Sequence, residues 1–476
     1  MVAVLVAVFL PVAAGLGVAC EERTPRKLTD APQAPPFRYL PEGCGYVVTP
    51  NEAFIEYAQD DPRDPGDIPL RPRVGLGGGT ERGVRGYADP RTSAVILWET
   101  KAKTRATKIE FGEAPDALTR TLTGHAWTTP SPKGLGANEP ETYMHEVHLC
   151  GLAPGRKWFY RVGGGPDGFE KWSPVSSFFT VPDGKTMTVG VSGDARDHVE
   201  IWQLVQQRMR EAKPAFQLFS GDLVSIGAYS SLWNTWLDAA EPTLSQQMIL
   251  FAAGNHENLH ARYFANVALP GDGLYQESFA SFDAGSAHFV VIDDQPIATD
   301  LGSDRARAIR AFLDKDLAKV ARTETPFVVV VHHRGLYSTS SHAGDSDLAQ
   351  ARSVLAPVYR RFGVDLVITG HDHEYERTVP IRPGDDPAGL PVADPEGTTY
   401  VICAGAGAPP YGYGSGVVPY RAAAAGFDAP TGRVGVYCML SLEEKKMSLT
   451  AYGLKATAGG IAGDDLLDRW ETTRIR

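Results

Sequence analysis

The segment VITGHDHEYERT, residues 367–378, places His371 and His373 two residues apart directly after an apolar run. Side chains at i and i+2 of an extended segment point to one side. The pair can therefore present two imidazoles to one site, while Asp372 turns away to solvent or to a supporting bond. Four earlier apolar runs end in the same way: VSGD at Asp194, FSGD at Asp222, AAGNHE at Asn255 and His256, and VVVVHH at His332 and His333. Singly these signals are weak, because a GD dipeptide is commonly a turn and HxH occurs by accident. In succession they collect carboxylates, an amide and imidazoles, donors that suit Zn, Fe, Mn and related ions. No cysteine belongs to the set, which argues against a structural zinc–thiolate site.

The elements that must position these tips are legible from residue 186 onward. Apolar runs such as MTVGVSGD, FQLFSGD, FVVVVHH and VDLVITGHDH alternate with the helical stretches VEIWQLVQQRMREA, DRARAIRAFLDKDLAKVA and DLAQARSVLAPVYRRF. Ligands of open α/β sheets sit at the carboxyl ends of the strands, so the polar tips should converge on one crevice. The tail returns to strands around a Gly/Ala/Tyr-rich loop, AGAGAPPYGYGSG. Upstream, SAVILWET, ATKIEFG, YMHEVHLCGL and KWFYRV alternate between turn residues and predict a small antiparallel β-sandwich. Residues 21–72 are rich in Pro, Gly and Asp and read as a tether or extended arm. The expected division is an export signal over 1–19, a tether over 20–72, a β-sandwich over 73–182 and an α/β domain over 183–476.

Composition bounds the function. With 43% hydrophobic and 22% charged residues the chain reads as an ordinary globular protein, and a net charge of -11 argues against a nucleic-acid partner. The opening MVAVLVAVFLPVAAGLGVACEE has the shape of an export signal. Two readings meet at the bond between Ala19 and Cys20: ordinary signal cleavage, or a lipoprotein signal with Cys20 acylated. The predicted location is periplasmic or cell-surface, with a lipid anchor on Cys20 as the one membrane contact. Cys44, Cys150, Cys403 and Cys438 permit two disulfides whose pairing the sequence leaves open.

The order GD, GD, GNHE, VxxH and GHxH resembles the calcineurin-like metallophosphoesterases, and within them the purple acid phosphatase branch, over roughly residues 73–455. The resemblance implies an α/β (α+β) fold of four layers, a β-sandwich of two mixed sheets flanked by helices, preceded by an all-β fibronectin-III-like sandwich. The stretches HEVHLCGLAPGRKWFYRVGG and WSPVSSFFTVP carry the likeness to that second module. Trp158 stands where such modules usually have a corner tyrosine, and its indole N–H could make the corner hydrogen bond instead. The implied cofactors are two metal ions, divalent or of the Fe/Zn/Mn type. Asp222 would bridge them, Asp194 and His373 would serve the first, and Asn255, His371 and the VxxH histidine would serve the second. Both His332 and His333 follow a valine by three residues; the run HRGLYS favours His333.

The same resemblance implies hydrolysis of a small phosphate ester by metal-bound hydroxide, without a covalent intermediate. A phosphomonoesterase is favoured, with a phosphodiesterase on the same site as the alternative. A non-catalytic surface protein that binds through its sandwich is the rival from another class. His256 would face substrate as proton donor or charge stabiliser, or else orient Asn255; Glu257 reads as an orienting carboxylate. Two positions depart from the family. Ser225 replaces the tyrosine whose phenolate colours the purple enzymes, so no purple colour is expected. Arg196 follows the first GD, where it cannot ligate a metal; it would clamp substrate phosphate or pair with Asp197. Arg334 and Tyr337 are further pocket candidates. Tyr411 and Tyr413 read as a packed loop rather than a lid. The other histidines, His342 among them, read as surface or packing residues.

Overall fold

The computed structural model describes residues 38–79, 89–129, 142–271, 275–384, 390–414, 416–428 and 430–474. The predicted export signal and Cys20 lie outside the described residues.

A six-stranded sheet runs in the order Ile249–Phe251, Phe216–Phe219, Met187–Ser192, Arg433–Leu442, Lys446–Thr457 and Gly460–Thr473. Its first three strands are parallel and its last three antiparallel. A seven-stranded sheet runs Phe279–Ala284, Ala287–Ile292, Phe327–Val331, Leu366–Thr369, Thr399–Cys403, Tyr375–Thr378 and Arg421–Ala425, with a parallel centre. Runs such as FVVVV and LVIT are buried along their whole length. Parallel strands read this way because both of their faces are covered.

Alternation decides which face each residue serves. Val189, Val191 and Leu218 of one sheet meet Phe289, Val329, Val331 and Ile368 of the other in a shared core. The intervening Val328, Val330 and Val367 face outward, onto Ile309, Leu313, Leu355 and Tyr359 of the helices Asp304–Leu317 and Ser346–Phe362. On the opposite side the helices Val199–Ala212 and Ser230–Leu244 lay Trp202, Val205 and Trp236 against Phe219 and Phe251. The result is the expected four layers, helix–sheet–sheet–helix. A disulfide between Cys403 and Cys438 joins a strand of each sheet.

Ahead of this body lie two antiparallel sheets. One runs Glu56–Gln59, His125–Thr129, Thr142–Leu149, Ala94–Thr100 and Leu70–Leu76; the other runs Ser176–Phe179, Lys157–Gly164, Lys108–Gly112 and Arg120–Thr123. The stretch read as a tether is structured from Arg38 onward. Glu56–Gln59 pairs with His125–Thr129, Leu70 begins a strand, and Cys44 is disulfide-bonded to Cys150 with Tyr46 and Val48 buried beside it. Its partners lie far away in sequence, so no local periodicity announced them. Trp158 makes no corner hydrogen bond: its buried indole N–H has no acceptor among the described residues, and its ring packs on Phe111.

One buried group ties this fold to pH. His288 lies between Asp283 and Asp316, at 2.5 and 2.9 Å from its two ring nitrogens. Burial opposes its charge, but the two carboxylates outweigh burial and push the imidazole up to about 9. The folded chain thus holds this proton more tightly than the unfolded chain. The stabilisation is complete below about pH 6.5 and is lost as pH rises through about 9. We expect His288→Gln to remove on the order of 3 kcal/mol at pH 6 and far less at pH 10, measured by urea unfolding at both values. An equal loss at both pH values would contradict the charged pair.

Candidate metal centre

The strand ends Ser192, Phe219, Phe251, Val331 and Thr369 open on one crevice, and the polar tips beyond them come together there. Asp194, Asp222 and His371 have left-handed backbones, with φ of 56°, 56° and 73°. Non-glycine residues rarely adopt that region, and such strain concentrates at functional sites. The preceding glycines leave room for the neighbouring tips. A Cβ on Gly254 would lie 2.1 Å from Asp222 Oδ1, and one on Gly370 would lie 2.2 Å from Asp194 Oδ2.

Hydrogen bonds at the back of the site aim the imidazoles. His333 Nδ1 is 2.7 Å from the Ser220 carbonyl oxygen, and His373 Nδ1 is 2.5 Å from that of Pro409. A carbonyl only accepts, so each Nδ1 carries the hydrogen and each Nε2 of the neutral ring turns a lone pair to the crevice. His333 Nε2 faces Asn255 Oδ1 at 2.9 Å and Asp222 Oδ1 at 3.3 Å. His371 Nδ1 faces the same Asn255 oxygen at 2.9 Å and His333 Nε2 at 3.1 Å. Burial, then the neighbouring His333 and His342, lowers the His371 imidazole well below its ordinary range, which keeps it neutral. On the other side of Asp222, His373 Nε2 lies 3.4 Å from Asp194 Oδ1. Atoms of Asp194, Asp222 and His333 all lie within 4.8 Å of one another.

These contacts set acceptor against acceptor. The His371 ring has a single proton to offer, which cannot satisfy the facing oxygens and lone pairs, and its buried Nε2 has no partner among the described residues. A cation satisfies the whole set, and the donors are those of a Zn, Fe or Mn site. The residues therefore fit a metal pair, one position lined by Asn255, His333, His371 and Asp222, the other by Asp194, His373 and Asp222.

Around this cluster the sequence-derived candidates divide. His256 Nδ1 is 2.6 Å from the Ser225 carbonyl oxygen, and its Nε2 faces Asp222 Oδ2 at 3.7 Å with the side chain 29% exposed. Glu257 is buried and accepts from the backbone N–H groups of Asp222, Leu223, Val224 and Gly254 at 2.7–3.3 Å. Burial and the charge of Asp222 raise its carboxyl, to about 8, while the backbone donors oppose that shift. Arg196 lies beside Asp222 and His373. His332 turns away from the cluster and is held by Asp294 at 3.0 Å. Arg334 and Tyr337 are not available to a ligand. Arg334 is 1% exposed and committed to Asp294 and Asp347, and Tyr337 is buried against Tyr400. Asp372 is buried, accepting from the backbone of His342.

Two residues read from the sequence as packed-loop or surface groups border the site. The His342 ring packs 4.2 Å from that of His371, and Tyr411 stacks on His373 at 3.9 Å. Each belongs to a loop without a repeating pattern, so nothing local tied it to the ligand histidines.

Glu257 joins the loops that carry Asp222 and Asn255. We expect Glu257→Gln to weaken metal binding by roughly 10–100-fold, read by competition with a chromogenic chelator on protein shown to be folded. Unchanged affinity would mean that the two loops hold themselves.

Residues 187–375 match the calcineurin-like phosphoesterase family, and residues 84–180 match the purple acid phosphatase N-terminal domain. Purple acid phosphatase 18 of Arabidopsis thaliana is 25% identical over 320 residues, covering 62% of this chain and 65% of the plant protein. Purple acid phosphatase 21 of the same plant is 31% identical over 308 residues, covering 60% and 64%. The chain thus spans a little under two thirds of the length of either relative. The solved purple acid phosphatase PPD1 from yellow lupin (Lupinus luteus) seeds superimposes with a TM-score of 0.67 at 18% identity, covering 86% of this chain and 75% of that one. By these matches residues 84–180 are similar to the purple acid phosphatase N-terminal domain and residues 187–375 to the calcineurin-like phosphoesterases, and the chain has the fold of the purple acid phosphatases.

Proposed function

We propose that the chain hydrolyses small phosphate esters, monoesters in preference, at a dimetal centre. The observation that carries this reading is the convergence of facing lone pairs from Asp222, Asn255, His333 and His371 beside a partly exposed histidine, His256. Asp222 turns Oδ1 toward the His333 group and Oδ2 toward Arg196, so it is the residue placed to serve both positions. Asp194 and His373 complete one position, and Asn255, His333 and His371 the other. A metal pair bound there supplies an acidified water and neutralises the charge of an in-line phosphoryl displacement.

The chain's own residues do the rest. Its bond to Ser225 places the hydrogen on Nδ1 and aims Nε2 of His256 into the crevice, so the ring would donate a proton to the leaving oxygen only in its imidazolium form. His342, its Nδ1 2.8 Å from Asp345, forms a second imidazole at the exposed rim. The guanidinium of Arg196 favours a dianion, which argues for monoesters. Ser225 is bonded to Asp197 and brings no phenolate, in keeping with a colourless protein. Export fits the pairing of Cys44 with Cys150 and of Cys403 with Cys438, since disulfides persist in oxidising compartments.

The test is hydrolysis of p-nitrophenyl phosphate beside bis-p-nitrophenyl phosphate, on metal-stripped protein reloaded with Mn, Zn, Fe or Ca. We expect metal-dependent turnover with the monoester preferred, its loss in His371→Ala, and a rate lower by roughly 10²–10⁴ in His256→Ala at unchanged metal content. Folded protein inert with every metal would leave the sandwich-based binding role as the better reading.

A further inference from the structure

The two metal positions are not equivalent, and the difference is Arg196. Its side chain is 11% exposed and reaches into the crevice. Nη2 lies 3.4 Å from His373 Nε2 and donates to Tyr411 Oη at 2.8 Å. Nε lies 3.5 Å from Asp222 Oδ2, and Nη1 pairs with Asp197 Oδ2 at 2.5 Å. The guanidinium therefore touches two of the three protein groups that line the first position. The lone pair of His373 is directed there because its other nitrogen is spent on Pro409. Around the second position, Asn255 Oδ1, His333 Nε2 and His371 Nδ1 meet one another, and among the described residues no side-chain cation comes between them.

We infer that Arg196 is a built-in competitor for the first metal position, so that the chain takes up its two ions in order, the one at Asn255, His333 and His371 tightly and the one at Asp194 and His373 weakly. This rests on the dimetal reading proposed above. A guanidinium keeps its proton at any pH the protein meets, so it cannot yield by neutralising. Two cations crowded into a site of low effective dielectric repel each other strongly. An ion entering the first position must displace Nε from Asp222 and Nη2 from His373. Asp197 and Tyr411 lie on the outer side of the guanidinium and can hold it once it withdraws. Tyr411, stacked on His373, closes that side of the pocket.

Metal uptake measures this without turnover. Full-length, metal-stripped protein is titrated with Mn²⁺ by calorimetry, with bound metal counted by plasma mass spectrometry after gel filtration. We expect two ions per chain, the second at least tenfold weaker than the first. Arg196→Gln should tighten the second step by tenfold or more and leave the first unchanged. Arg196→Lys retains a positive charge and should preserve the split, and it also serves should the glutamine variant fail to fold. Two equal steps in the natural chain, a split unchanged in Arg196→Gln, or a split lost in Arg196→Lys would each overturn the inference while leaving the dimetal centre standing. Folded natural protein that binds no ion would overturn both.

Discussion

Electron pairs brought face to face are the constraint on which this structure depends. Asp222, Asn255, His333 and His371 bring oxygen and nitrogen lone pairs to about hydrogen-bonding distance in a buried crevice where hydrogens are too few to separate them. Burying unpaired acceptors is costly in any fold, and setting them against one another is costlier. A fold that does so must hold them there by means independent of the site's contents.

Those means are visible at each strand end. Parallel strands buried on both faces fix the backbone up to the last apolar residue. Three tip residues then turn through left-handed backbone, and glycines leave the space into which neighbouring carboxylates project. Glu257 fastens two of the loops by accepting backbone hydrogen bonds, and Asp294 holds the next one through His332, Arg334 and the Arg334 backbone. Burial opposes the charge of Asp294, but Arg334 and His332 keep its carboxyl well below the usual range. The supporting charges are thus paired, while those at the crevice are left to a cation. Arg196 is the exception, a resident cation on one side of the cluster.

The sequence disclosed most of this where the cause is local. A polar residue directly after an apolar run marks a strand end, and five such ends in order name the ligand candidates, because donors and strand are contiguous in the chain. Helix periodicity located Val199–Ala212, Asp304–Leu317 and Ser346–Phe362 of the outer layers for the same reason, but not Ser230–Leu244. Contacts between distant segments stayed hidden. The pairing of Glu56–Gln59 with His125–Thr129, the partner of Cys44, and the seats of His342 and Tyr411 on His371 and His373 depend on tertiary packing. Arg334 shows the opposite failure. Its position beside a ligand histidine suggested a pocket residue, but Asp294 and Asp347 compensate its burial and remove it from the crevice. Trp158 lies where a corner donor belongs, yet its ring is drawn into the core with no acceptor in reach among the described residues.

If these lone pairs converge on metal rather than on one another, anomalous X-ray scattering from crystals of the zinc-loaded chain should reveal it. Density is expected on both sides of the Asp222 carboxylate, with the stronger peak among Asn255, His333 and His371. Peaks elsewhere, or none, with the Asn255 amide turned to place its NH₂ between the two imidazoles, would contradict it.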